Sequence, residues 1–176
     1  MHLINRIREL IFPHDQDIIK PLIHRVHLVK RSFIVVDCEM GCDRKGLKQI
    51  IKGYLASGIY EQERIPLMIY YRENSNYAYE RIKSFLKRYE ALRLKIWFYE
   101  SPSLPFGLSI IGQNALAYIN ANHQFSDLAS IDERLVAHGT KVCMFRRDSY
   151  WKWMFPDMVL CDTKQEFCTF FRGLIE

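Results

Sequence analysis

The chain has 176 residues, 49% of them apolar and 26% charged, with a formal net charge of +5. That balance excludes a disordered or low-complexity chain, and the length suits one domain, which at this size buries roughly 70% of its unfolded surface. No apolar run approaches the ~20 residues that cross a bilayer, and Arg6, Arg8 and Glu9 break up the N-terminal apolar residues where a signal peptide needs a continuous stretch. The expectation is a soluble, cytoplasmic protein over 1–176 with no membrane partner. Five cysteines, an odd number lying mostly in strand-like or helix-like runs, fit buried or edge thiols in a reducing compartment. The mildly basic charge permits an anionic partner.

In chain order, Leu3, Ile4, Ile7, Leu10 and Ile11 recur at helical spacing up to Pro13, and a second helix is expected over about 15–29 with Pro21 in its middle. "RSFIVVDC" is a continuous β-branched and aromatic run, the pattern of a strand buried on both faces. After the turn-like "GCDRKG", apolar residues at Leu47, Ile50, Ile51, Tyr54 and Leu55 mark one face of a helix closed by Gly58. "IPLMIYYR" is the next strand. "NSNYAYERIKSFLKRYEAL" then predicts a helix with Tyr79, Ile82, Phe85, Leu86 and Tyr89 on one face, and "LKIWFYES" a third strand. The alternation predicts a mixed, mainly parallel sheet flanked by helices, with right-handed crossovers. "LSIIG" and "ALAYIN" flank Gln113 and Asn114, with Gly112 and Asn114 suited to positive φ, so a β-hairpin is expected there. A helix over "SDLASIDERLVAHG", strands "KVCMFRR" and "MVLCDT", and a closing helix packed by Phe167, Phe170, Phe171 and Leu174 complete the α/β pattern.

The order of elements from Ile18 to His123 resembles one half of a phospholipase D-like domain, whose hairpin carries His-x-Lys-x4-Asp and then Gly-Ser-x-Asn. Laid over this chain, the histidine falls on Gly107, the lysine on Ser109 and the aspartate on Asn114, while "NAN" takes the trailing position with Asn122 matching. In that family a histidine attacks phosphorus and lysines and asparagines hold the developing charge. Gly107 has no nucleophile, and Ser109 has a hydroxyl without a positive charge. His123, just after Asn122, lies too far along the hairpin to replace the nucleophile and reads as a strand-end residue.

The resemblance therefore implies a phospholipase D-like half without catalytic residues. It would be a binding or regulatory module for a phosphate-containing or polar ligand, without metal or cofactor, the ligand lying near Asp37, Glu39, Ser109, Asn114, Asn122 and His123. Because two such motifs normally meet at one site, it also implies a homodimer. Whether any catalysis remains stays open, as do two other readings. Asp37 and Glu39, two apart at a strand end, could share a divalent metal with Asp127 or Asp162 in a nuclease. The loop Trp151–Phe155, flanked by Arg146, Arg147 and Lys152, could bind a protein partner. Two weaker patterns are ordinary core or surface residues more often than sites. These are His24, His27, Cys38 and Cys42 as zinc ligands, and Arg81, Lys83, Lys87, Arg88, Arg93 and Lys95 as a nucleic-acid stripe.

Overall fold

The computed structural model describes residues 33–38, 43–72, 84–85, 87–92, 94–101, 115–122, 139–153 and 155–176. Six strands, β1 (Ile34–Asp37), β2 (Leu67–Arg72), β3 (Ile96–Ser101), β4 (Ala117–Asn120), β5 (Lys141–Met144) and β6 (Val159–Leu160), form one sheet. Their order is β3-β2-β1-β4-β5-β6, and every pairing is parallel. The strand positions agree with the apolar runs of the sequence, which β-branched and aromatic residues fill because both faces of a parallel sheet are covered. All four residues of β1 and of β4 are buried.

The hairpin expected around Gln113 and Asn114 is corrected here. The turn and its first arm lie outside the described residues, but the second arm is β4, whose two sides are taken by β1 and β5, both parallel to it. A hairpin partner would have to be antiparallel to β4 and hydrogen-bonded to one of those sides, so this strand belongs to crossovers. The sheet is parallel throughout its described pairings, where a mixed one was expected.

Helix α1 (Arg44–Ser57) follows β1. Asp43 caps it, its Oδ1 accepting the Gly46 N–H at 2.9 Å, and Gly58 ends it at φ +71°, a left-handed conformation that glycine adopts without a Cβ penalty. Leu47, Ile50, Ile51 and Tyr54 are buried beneath it, each burial contributing about 1.5–3 kcal/mol, but Leu55, expected on the same face, is exposed. The Tyr54 hydroxyl lies 2.8 and 2.9 Å from the carbonyls of Ile65 and Lys95, just ahead of β2 and β3. This contact sets the C-terminal end of α1 at the amino edge of the sheet and its N-terminal end at the carboxyl edge. A short helix α2 (Ile59–Glu63) and a 3₁₀ segment (Lys87–Leu92) follow, the latter lying in the stretch expected to be a regular helix.

The chain closes with α3 (Lys164–Arg172), whose capping box pairs Thr163 with Glu166. Phe167, Phe170 and Phe171 are buried, as their spacing predicts. α3 packs on α1 where Gly53 leaves no side chain between the two helices. Alternate strand residues (Ile34, Val36, Cys38; Ala117, Ile119, Ala121) join the core beneath α1 and α3. The opposite face of the same strands carries Val35, Asp37, Tyr118, Asn120 and Asn122, all buried.

Candidate functional site

In this strand order the chain moves outward from β1 through β2 to β3, then returns to the other side of β1 as β4 and moves outward again through β5 and β6. The reversal lies between β1 and β4, and in open α/β sheets the crevice outside the carboxyl ends of the strands at such a point is where ligands bind. Asp37 and Asn120 are paired in register at those two carboxyl ends.

Together they form a buried polar floor. The Tyr118 hydroxyl donates to Asp37 Oδ2 at 2.5 Å, a charge-assisted bond between residues of neighbouring strands on one face. Asn120 Oδ1 accepts both the backbone N–H of Asn122, at 3.2 Å, and its side-chain amide, at 2.7 Å. The Nδ2 of Asn120 is buried and has no hydrogen-bond partner among the described residues. An unmet buried donor costs about 1–3 kcal/mol, so native proteins keep few of them outside sites that something else completes.

The rim is basic. Gly46 brings the first turn of α1 against the end of β5, so close that a Cβ there would lie 2.2 Å from Phe145 Cζ. This approach sets the positive end of the α1 dipole, with Arg44 and Lys45 exposed in its first turn, at the carboxyl edge. Arg147 ties the elements together. It donates to Asp43 Oδ2 at 2.6 Å and to the Asn122 carbonyl at 2.9 Å, and its guanidinium sits 4.8 Å from the centre of the Phe145 ring. Beside it Asp148 is buried, and that burial pushes its carboxyl up, with Arg147 opposing. A cavity of about 500 Å³ runs elsewhere, along the outer edge between β6 and α3. Val159, Phe170 and Leu174 line it, and no buried polar groups converge there, so its size does not make it the better candidate.

Of the residues the sequence nominated, Asp37 and Asn122 lie on this floor. Glu39, Ser109, Asn114 and His123 lie outside the described residues, as do Gly107, Asp127, His24, His27 and Cys42. Asp162 is exposed at the start of α3, paired with Arg146, and no group of three metal-ligating side chains occurs among the described residues. Cys38 is buried, as are Cys143, Cys161 and Cys168. The Trp151–Phe155 loop divides: Phe155 is buried, Trp151 half-buried and Trp153 exposed, with Met154 outside the described residues. The sequence reading missed Tyr118 and Asn120, although Tyr118, Asn120 and Asn122 recur every second residue and so share one face. It named Arg147 only as a flank of the tryptophan loop and missed its pairing with Asp43, which joins positions 104 residues apart.

No family model matches the chain, and no curated protein matches it in sequence. Its fold does match solved structures. The α,α-trehalose 6-phosphate synthase of Burkholderia multivorans superposes with a TM-score of 0.67 at 12% identity, over 98% of this chain and 41% of that one. The Methanocaldococcus jannaschii UDP-GlcNAc 2-epimerase, solved with UDP-GlcNAc and UDP, gives 0.57 at 14% identity over 99% and 46%. WaaG, a glycosyltransferase involved in lipopolysaccharide biosynthesis, gives 0.58 at 12% over 94% and 45%. The chain thus spans less than half the length of these neighbours. They overturn the phospholipase D-like resemblance and the phosphodiesterase-derived binding module inferred from it, and the ground for expecting a homodimer goes with them. The fold resembles a Rossmann-like half of the GT-B glycosyltransferase architecture.

Proposed function

We propose that this chain is the nucleotide-sugar-binding half of a glycosyltransferase-like enzyme, with its ligand in the crevice between the carboxyl ends of β1 and β4. The observation that carries this reading is the Asn120 amide, a buried donor without a partner among the described residues, at the point where a doubly wound sheet takes its ligands. A nucleotide sugar needs two kinds of recognition, and both are to hand. Its diphosphate suits the N-terminal end of α1, where the helix dipole and the Arg44 and Lys45 side chains supply positive charge. Its hydroxyl groups suit a floor of amides and a carboxylate, which exchange hydrogen bonds with hydroxyls in either direction. Neighbours solved with UDP and UDP-GlcNAc support the ligand class. The role of this chain's residues is to hold and orient the donor; group transfer calls on the further half that the neighbours possess.

The test is ligand-induced stabilisation of the whole chain, measured with UDP-GlcNAc, UDP and inorganic phosphate on the wild type and on Asn120→Asp. The substitution keeps Oδ1 as acceptor for Asn122 and replaces the free donor by an anion. UDP-GlcNAc at a hundredfold excess over its Kd stabilises the wild type by about 2.7 kcal/mol and leaves Asn120→Asp nearly unmoved. Equal responses of the two proteins, or none from the wild type to either nucleotide, overturn the reading.

A further inference from the structure

The chain's net charge of +5 is not spread evenly over its surface. α1 and α3 together carry six cations, Arg44, Lys45, Lys48, Lys52, Lys164 and Arg172, against one acid, Glu166. All six cations are exposed. Glu166 does not neutralise them: it accepts the backbone N–H groups of Asp162 and Thr163 and pairs with Arg146, which hold its carboxyl down at about 2. Among the described residues Arg44, Lys45, Lys48 and Lys52 take part in no ion pair.

Arg44, Lys48 and Lys52 follow one another at i, i+4 and i+8 on the side of α1 opposite its buried residues. Like charges at that spacing repel by about 0.2–0.5 kcal/mol per pair, and no acid within α1 relieves them. An external anion would. Its shape follows from the packing: α1 and α3 lie side by side on one sheet face, in contact at Gly53, with Arg172 reaching the last carbonyls of α1. Their outward arcs form one basic face, bordered on the α3 side by the cavity that Gln165 and Thr169 line against β6. Its exposed uncharged residues are Leu55, Ala56, Gln165 and Thr169, with no aromatic ring among them. Single-stranded nucleic acids are held on aromatic platforms, of which this face has none among the described residues. A cationic array spread over two helices, with one exposed leucine, matches the charge of an anionic lipid surface.

We propose that the α1–α3 face adsorbs to an anionic lipid bilayer, with Lys48 and Lys52 at its centre. Among the described residues no helix is long and apolar enough to span a membrane. Each basic residue near such a surface contributes about 1 kcal/mol, within a Debye length of roughly 8 Å at physiological salt. The inference stands apart from the nucleotide-sugar reading, because Lys48 and Lys52 are not part of the crevice.

The test is sedimentation of the full chain with vesicles of phosphatidylcholine containing 30% phosphatidylglycerol, beside pure phosphatidylcholine. The wild type is expected to bind the first, to leave the second, and to be released by 0.5 M salt. Lys48→Gln with Lys52→Gln should bind the anionic vesicles about 30-fold more weakly, the two contributions taken together. Lys87→Gln with Lys141→Gln, removing two exposed cations elsewhere, should change little. The proposal is overturned if the two double variants lose binding equally, if neutral vesicles bind as well, or if an oligonucleotide of matched charge displaces the vesicles.

Discussion

Gly53→Ala probes the contact that fixes α3 on α1. An ideal Cβ at Gly53 would lie 2.5 Å from Phe167 Cβ, 2.9 Å from the Lys164 carbonyl oxygen and 3.0 Å from the Cys168 nitrogen. Two of these three are backbone atoms, which cannot rotate aside, so relief requires α3 to back away from α1 by roughly 1 Å to reach ordinary contact near 3.5–4.0 Å. Phe167 and Phe171, both fully buried, are carried with it. A gap of that size forfeits about a quarter to a half of each contact's attraction. Overpacking of this kind costs about 1–3 kcal/mol, and the backbone contacts put it at the upper end, while alanine returns about 1 kcal/mol of helix propensity. The net expectation is a loss of about 2 kcal/mol. Urea unfolding followed by circular dichroism should show the midpoint falling by about 1 M with the slope unchanged, taking a slope of about 2 kcal/mol per M. A variant that is more stable than the wild type, as helix propensity alone would make it, refutes the close crossing.

Two further outcomes follow from the polar contacts. Tyr118→Phe removes the hydroxyl bonded to the buried Asp37 carboxylate and should cost about 1.5–3 kcal/mol by denaturant unfolding; an unchanged midpoint would show that the bond is absent. Glu166 has a carboxyl lowered from 4.5 to about 2 by the Asp162 and Thr163 N–H groups and Arg146, so its contribution is complete above the unfolded value and disappears as pH falls through the folded one. The melting temperature of Glu166→Gln should therefore lie below that of the wild type at pH 7 and converge with it between about pH 4.5 and 2; a gap that persists at pH 2 contradicts the assignment.

Much of the sheet was legible because a strand buried on both faces has an unmistakable composition: "IVVD" and "LMIYYR" read as strands from their residues alone. The helix faces were legible for the same local reason, Leu47, Ile50, Ile51 and Tyr54 in α1 and Phe167, Phe170 and Phe171 in α3. Strand order was not. "ALAYIN" looks the same whether its neighbour is the preceding segment in a hairpin or β1, some eighty residues earlier, because a strand's residues record burial and not partner. The turn signal at Gly112 and Asn114 tipped that choice toward a hairpin, and a family resemblance was built on it. Asp37 was found as a polar residue ending an apolar run, but its partner Tyr118 lies 81 positions away and resembles any core tyrosine. The rim was hidden for the same reason, since Asp43 and Arg147 meet through the tertiary fold alone.

The placement of β1 at the middle of the sheet also has a consequence for biogenesis. Its four residues gain β2 as a neighbour when Leu67 to Tyr70 have been made, but β4, on the other flank, is made some fifty residues later still. At about 5–20 residues per second, that flank of the central strand stays bare for roughly 2.5–10 s on the ribosome. A nascent chain with "IVVD" exposed along one edge for that long is a natural client for a cotranslational chaperone. Slowing elongation between β2 and β4 would lengthen the exposure and favour inclusion bodies over soluble yield.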